Sequence, residues 1–457
     1  MRITNLNPAD EIGASAWLVE MDGHRLLLDA GMHPKRDGRE ALPLFDTVAA
    51  LKVDAIALSH CHHDHVGALP VALRHFPEAR VFVPEQSYFL LPRVLHNSVN
   101  VMKRQKVELQ IAEYPLFDHR EVERLSAVFQ ACRYRQVVEW GVPPHKRAGR
   151  MPTLEFFDAG HVLGSAGVLV RGRKETLFYT GDVCFAAQTL LSGARFEDVR
   201  ADVLLMETTR GATATPKGFT REAELERLRA AIAAALARGA CVLLPAFALG
   251  RTQELMAWLA LQMREGHLPR RKIHIGGLGR VFTEIYDQHA HRTERLHPGL
   301  VLQDSLELDV LEAGDAARMS LTGGKIFLVT AGMMTEHTPA HDLAARMMGD
   351  ASQCIFFVGY ADPDSPGGRL KASKAGRAFH FSDSTGKQVR RCQIQTFDLS
   401  AHAQREELVD FAAGLAPRAV VLGHGDPAAR QWVAEQVQER LPRANVLQPA
   451  PGAELSL

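Results

Sequence analysis

The chain carries no excess of charge of either sign: 53 Lys and Arg balance 53 Asp and Glu, for a formal net charge of zero. No global field therefore draws in a polyanion, and any contact with nucleic acid has to be local. The short basic runs, Lys103–Arg104 with Lys106, Arg270–Arg271–Lys272 and Arg390–Arg391, are of a size more typical of solvated surface. Cysteine is scarce as well. Cys61, Cys132, Cys184, Cys241, Cys354 and Cys392 are scattered without a CxxC pair. That spacing excludes a disulfide framework and a thiolate zinc site, and it fits a reducing compartment. No apolar run reaches the roughly 18 residues a membrane helix needs, and the start, MRITNLNPADEIG, lacks a basic-then-apolar signal pattern. A soluble, cytoplasmic protein without membrane contact is expected. Internal repeats and low-complexity segments are also missing. What is present is an ordinary globular composition, 46% hydrophobic and 23% charged over 457 residues, enough for two or three cores.

The segment SAWLVEMDGHRLLLDAG is two apolar runs around an Asp-Gly turn, so an antiparallel sheet begins here. VDAIALS and ARVFVP read as buried strands, and residues from about 87 to 140 as a mainly helical covering insertion. LEFFDAG, AGVLVRG, ETLFYTGD and DVLLMETT return to sheet. From about residue 211 the texture changes to helices alternating with buried strands, starting with an amphipathic helix over 220–238. That alternation implies a separate α/β unit with a parallel sheet. Residues 361–376 read as a loop and hinge. RRCQIQTF and RAVVLGHG are then read as strands of the returning first domain, ending near His402 and His424.

The most informative stretch is His60-Cys61-His62-His63-Asp64-His65, four histidines and an aspartate directly after a buried strand. Imidazole and carboxylate are zinc ligands, and a tight strand-end loop sends alternate side chains to one metal and the next pair to another. The spacing directs His60 and His62 to one ion, Asp64 and His65 to a second, and turns Cys61 and His63 away. One cluster cannot close two coordination shells. His161, Asp182 and His424, each at a strand end beside glycine, are the distant candidates.

HCHHDHVG, AGHVLGSA and TGDV resemble the successive motifs of the metallo-β-lactamase superfamily; METTRG, PAFALGRTQEL, DLSAHA and LGHGD resemble those of its β-CASP branch. The match runs from Asp29 to His424. It implies a metallo-β-lactamase αββα sandwich interrupted by an α/β β-CASP domain with a parallel sheet: residues 1–208 and 386–457 in the first, 209–385 in the second. It also implies two zinc ions, one held by His60, His62 and His161, the other by Asp64, His65 and His424, with Asp182 bridging. Asp29 would orient a ligand from behind. Asp64, Glu207 and His402 would take part in catalysis, His402 as the catalytic histidine and Glu207 from the acidic motif. A histidine at position 424 is similar to RNA-acting members, whereas DNA-acting relatives usually carry an aliphatic residue there. The chain departs from the pattern at Arg210, where relatives have an aromatic residue and substrate contact would change. It departs again in the DPDSPGGRL loop.

The expected activity is that of a zinc-dependent ribonuclease acting on single-stranded RNA, which the insert would admit through a cleft, by a two-metal-bound hydroxide with His402 as general acid. Arg251, following Gly250 at a helix start, and Arg369 are the candidate phosphate contacts. A homodimer is compatible with this reading. Two rivals stand beside it: a same-fold zinc hydrolase of a small ester or thioester, and a non-catalytic RNA-processing scaffold.

Overall fold

Asp22 and Gly23 take positive φ, 52° and 82°, the twist that a two-residue hairpin turn requires. They join Trp17–Met21 to His24–Leu28 in register. This hairpin seeds a seven-stranded sheet in the order Glu454–Ser456, Arg2–Asn5, Trp17–Met21, His24–Leu28, Ala55–Ala57, Arg80–Pro84, Phe129–Cys132. A second sheet runs Asn445–Leu447, Ala419–Gly423, Val203–Glu207, Thr176–Tyr179, Ala166–Arg171, Thr153–Asp158, Val138–Glu139. Alternate residues of both sheets, Trp17, Val19, Leu26 and Leu28 from one and Phe156, Val168, Leu177 and Leu205 from the other, share one core. The outer face of the second sheet is closed by Leu408, Ala412, Val433 and Val437 of the helices Arg405–Leu415 and Pro427–Arg440. Sheet on sheet with helices outside is the expected sandwich.

The structure, a computed structural model, describes residues 1–141, 151–312 and 314–457. The chain divides into two units, one of Met1–Ala187, Gly193–Thr215 and His402–Leu457, the other of Gln188–Ser192 and Pro216–Ala401. The second unit is built on a six-stranded sheet, Leu308–Leu311, Ile273–Gly276, Ile326–Val329, Val242–Pro245, Cys354–Phe357, Gln393–Thr396. All its pairings are parallel. Such strands are covered on both faces, and the four central ones are buried at nearly every position.

Three expectations need correction. The helical stretch ends at Ser126, and Phe129–Cys132 and Val138–Glu139 then close one edge of each sheet of the sandwich. Gln393–Thr396 pairs with Cys354–Phe357, so it belongs to the second unit, and the return to the sandwich comes at His402 instead of 386. The supposed loop at 361–376 contains a helix, Pro366–Ala372, started by Ser365, whose hydroxyl accepts from Gly368 N at 3.1 Å.

Candidate metal centre

Five residues beyond the strand Ala55–Ala57, His62 is extended (φ −72°, ψ 150°), and His63–Val66 is then a single helical turn. The change of period after His62 is what splits the cluster. His60 and His62 leave an extended backbone on one side, while Asp64 and His65 leave the turn. The turn is laced to the chain after Asp29: Ala30 N donates to His65 O at 2.8 Å and Met32 N to His63 O at 3.1 Å. A Cβ on Gly31 would lie 1.7 Å from Asp64 O, so only glycine fits there.

His62 Nδ1 lies 3.1 Å from His60 Nε2 and 3.1 Å from His161 Nε2. Asp182 Oδ2 lies 3.5 Å from His60 Nε2 and 3.7 Å from His161 Nε2. Its other oxygen, Oδ1, lies 3.3 Å from His65 Nε2 and 3.5 Å from His424 Nε2, and the latter is 3.7 Å from Asp64 Oδ2. All seven sequence candidates thus converge as two groups that could each hold a metal ion, His60, His62, His161 and Asp182 in one, Asp64, His65 and His424 in the other. Asp182 lies between them with one oxygen toward each.

The donor set fits metal. Zinc–nitrogen bonds of about 2.0–2.1 Å in a tetrahedron put neighbouring ligand atoms about 3.3–3.4 Å apart, close to the spacings found. His65 Nε2 and Asp182 Oδ1 are buried without a hydrogen-bond partner, an arrangement that costs free energy unless a cation lies against both. Burial, with His65 beside it, holds the His60 pKa well below its usual value. Burial works against the Asp182 carboxylate too, but His65, His424 and His60 outweigh it and keep the group well below the usual carboxylate range.

Asp29, with φ of 60°, sits behind the second group and accepts from His65 Nδ1 at 2.7 Å, Ser59 N at 2.6 Å, Ser59 Oγ at 2.7 Å and Tyr179 OH at 2.6 Å. It fixes the His65 ring with Nε2 inward. Ser59 and Tyr179 were not singled out from the sequence, although both flank motifs that were. His424 also holds a left-handed backbone (φ 45°), a strained conformation that the surrounding hydrogen bonds maintain.

A third group gathers Asp182, Glu207 and His402. His402 Nδ1 is 3.2 Å from both Glu207 oxygens, and its ring centroid is 4.5 Å from that of His161. Glu207 is anchored in turn by Val183 N at 2.7 Å and Thr209 N at 3.2 Å. Burial alone would lower the His402 pKa, but the Glu207 charge and hydrogen bond, with Asp182 and Asp64, raise it above the usual value.

The intervening residues point away as expected. Cys61 Sγ donates to Ser87 O at 3.3 Å, and burial pushes its thiol up to about 12. His63 Nε2 meets Ser98 Oγ at 2.9 Å. Arg210 is buried beside the acidic motif, so the departure there alters packing and not exposed surface. Arg251 and Arg369 belong to the second unit. Arg251 is buried at the first position of the helix Arg251–Arg264, and the half-buried Arg369 donates to Asp364 O through Nε at 3.1 Å.

Family models match the chain in three stretches: the metallo-β-lactamase superfamily over 9–234, the β-CASP domain over 252–370, and a zinc-dependent metallo-hydrolase RNA specificity domain over 388–447. A ribonuclease of Thermus thermophilus is 30% identical over 93% of this chain and 93% of its own. The chain belongs to the metallo-β-lactamase superfamily, in its β-CASP branch. Other members include endoribonuclease ysh1 of Aspergillus fumigatus, 27% identical over 92% of this chain, and cleavage and polyadenylation specificity factor subunit 3 of Dictyostelium discoideum, 25% identical over all of it. The chain spans 51% and 57% of those two proteins, about half their length. A crystal structure of a protein of unknown function from Enterococcus faecalis V583, 13% identical, shares the β-CASP fold with a TM-score of 0.57 over 100% of this chain and 99% of that one.

Proposed function

We propose that this β-CASP protein is a zinc-dependent ribonuclease that hydrolyses phosphodiester bonds of single-stranded RNA. The observation that carries the reading is the pair of ligand groups meeting at Asp182, with a Glu207-held histidine against one of them. Metal ions held there supply Lewis acidity and activate water at neutral pH. His60, His62 and His161 would hold one ion and Asp64, His65 and His424 the other, with Asp182 offering an oxygen to each group. Glu207 fixes His402 through Nδ1, which leaves Nε2 to deliver a proton to the departing ribose oxygen. Of the two arginines, the half-buried Arg369 is a better contact for a backbone phosphate than the buried Arg251. The RNA assignment rests on the RNA specificity domain match and on relatives named as ribonucleases. No helix among the described residues is long and apolar enough to cross a membrane. All six cysteines are free, which supports the cytoplasmic location we propose.

The test is turnover of end-labelled single-stranded RNA beside a lactam and a thioester, each with and without chelator. Chelator-sensitive RNA cleavage is expected, and turnover of the small esters alone would sink the reading. A pH profile adds a second check. His402 must be protonated to act, and its raised pKa carries the acid form to higher pH. Glu207→Gln removes the charge that raises it, so the alkaline limb of kcat/KM should move to lower pH while the acid limb stays. An unmoved limb would separate His402 from proton delivery.

A further inference from the structure

Between the Asp182 motif and the strand Val203–Glu207 the chain makes a detour that the proposed chemistry does not use. Gln188–Ser192 belongs to the second unit, whereas the chain up to Ala187 and from Gly193 belongs to the first. The detour is a loop with a closed neck. Ala194 N donates to Cys184 O at 2.7 Å, and a Cβ on Gly193 (φ 81°) would lie 2.3 Å from Phe185 O, so backbone runs directly against backbone. Ala186 and Ala187 are exposed, yet Gln188 and Leu191 at the tip are buried and Leu190 is fully so.

The tip is gripped by one carboxylate. Glu254, buried in the helix Arg251–Arg264, accepts through Oε2 from Thr189 N at 2.6 Å and from Leu190 N at 2.9 Å. Leu190 O accepts in turn from Leu296 N at 2.9 Å. Bonds from two amides to an ionised carboxylate are stronger than neutral ones, and their loss would leave two amides without acceptors. The neck is fastened to both segments that carry ligands: Cys184 N donates to Ala159 O at 2.9 Å and Arg195 N to Asp158 O at 2.9 Å. Cys184 follows Asp182 by two residues, and Ala159 precedes His161 by two.

We propose that Glu254 is a positioning residue for the metal centre: by holding Thr189 and Leu190 it holds the neck, and through the neck Asp182 and His161. The proposal depends on the ribonuclease reading for its kinetic readout only. The test compares the zinc-loaded full chain with Glu254→Ala and with Glu254→Gln, which keeps an acceptor oxygen. It reads hydrogen exchange over residues 183–192, zinc affinity by chelator competition, and kcat and KM on RNA. Glu254→Ala is expected to exchange faster, to bind zinc about 10-fold more weakly, the low end of what losing a ligand's direct partner costs because Glu254 acts through the neck, and to lose kcat with KM unchanged. Glu254→Gln should recover most of both. Faster exchange with wild-type zinc affinity would overturn the proposal. Should Glu254→Ala fail to fold, Glu254→Asp, which draws the carboxylate back by one methylene, decides by the same readouts. If the wild-type chain cuts no RNA, the functional reading falls while exchange and zinc affinity still decide the role of Glu254.

Discussion

Asp182→Asn is expected to reduce bound metal toward one ion per chain and to depress RNA cleavage by more than the roughly 100-fold that losing an outer partner costs. The reason lies in how the two oxygens are shared. Oδ2 faces His60 and His161, and Oδ1 faces His65 and His424, all within 3.3–3.7 Å. Asparagine has nearly the same volume, but it turns an amide N–H₂ toward one group. A donor there repels a cation, and the negative charge that lets two dications lie close together is gone. Metal content per chain and cleavage of labelled RNA are measured on the same preparation. Two bound ions with a near wild-type rate would assign the shared ligand elsewhere.

The second large effect separates proton delivery from metal binding. His402→Ala should keep both ions, because the seven ligand residues remain, while RNA cleavage drops by roughly 10²–10⁴, the contribution of a positioned acid. An aryl phosphodiester is the control. Its leaving group departs without a proton, so the same variant should lose much less activity on it. The geometry makes this a fair contest, since Asp182, Glu207 and His402 themselves form a group that could hold a metal. Loss of an ion in His402→Ala would make His402 a ligand. Equal losses on the two substrates with metal intact would make it a phosphate-positioning residue.

The ligands were legible because their chemistry is costly anywhere else and because the helical turn at His63–Val66 converts their spacing into two directions. The Asp22-Gly23 hairpin and the alternation of helix and buried strand after residue 211 were legible for similar local reasons. What escaped was set by partners far away in sequence. Arg2–Asn5 and Glu454–Ser456 are short strands that exist because they pair with each other and because Arg2–Asn5 pairs with Trp17–Met21. Phe129–Cys132 has only its two ends buried, too weak a pattern to stand out from the helices before it. Gln393–Thr396 shows no burial signature of either unit, and only its pairing decides where it belongs. The tie of Asp29 to Tyr179 likewise depends on how the two sheets face each other.

The parallel pairing of Val203–Glu207 with Ala419–Gly423, next to the edge strand of the second sheet, has a consequence for synthesis. A growing chain that has reached Glu207 can pair that strand with Thr176–Tyr179, but it must wait for the whole second unit before the strand's other edge gains a neighbour, and closing so long a loop carries an entropic cost that other contacts have to meet. Four candidate ligands, His60, His62, His161 and Asp182, are by then already made, whereas Asp64 and His65 still lack His424. The nascent protein therefore passes through a stage with one complete metal group and one open one. Premature termination ahead of residue 424 would release a chain that keeps the first candidate group and cannot finish its sandwich.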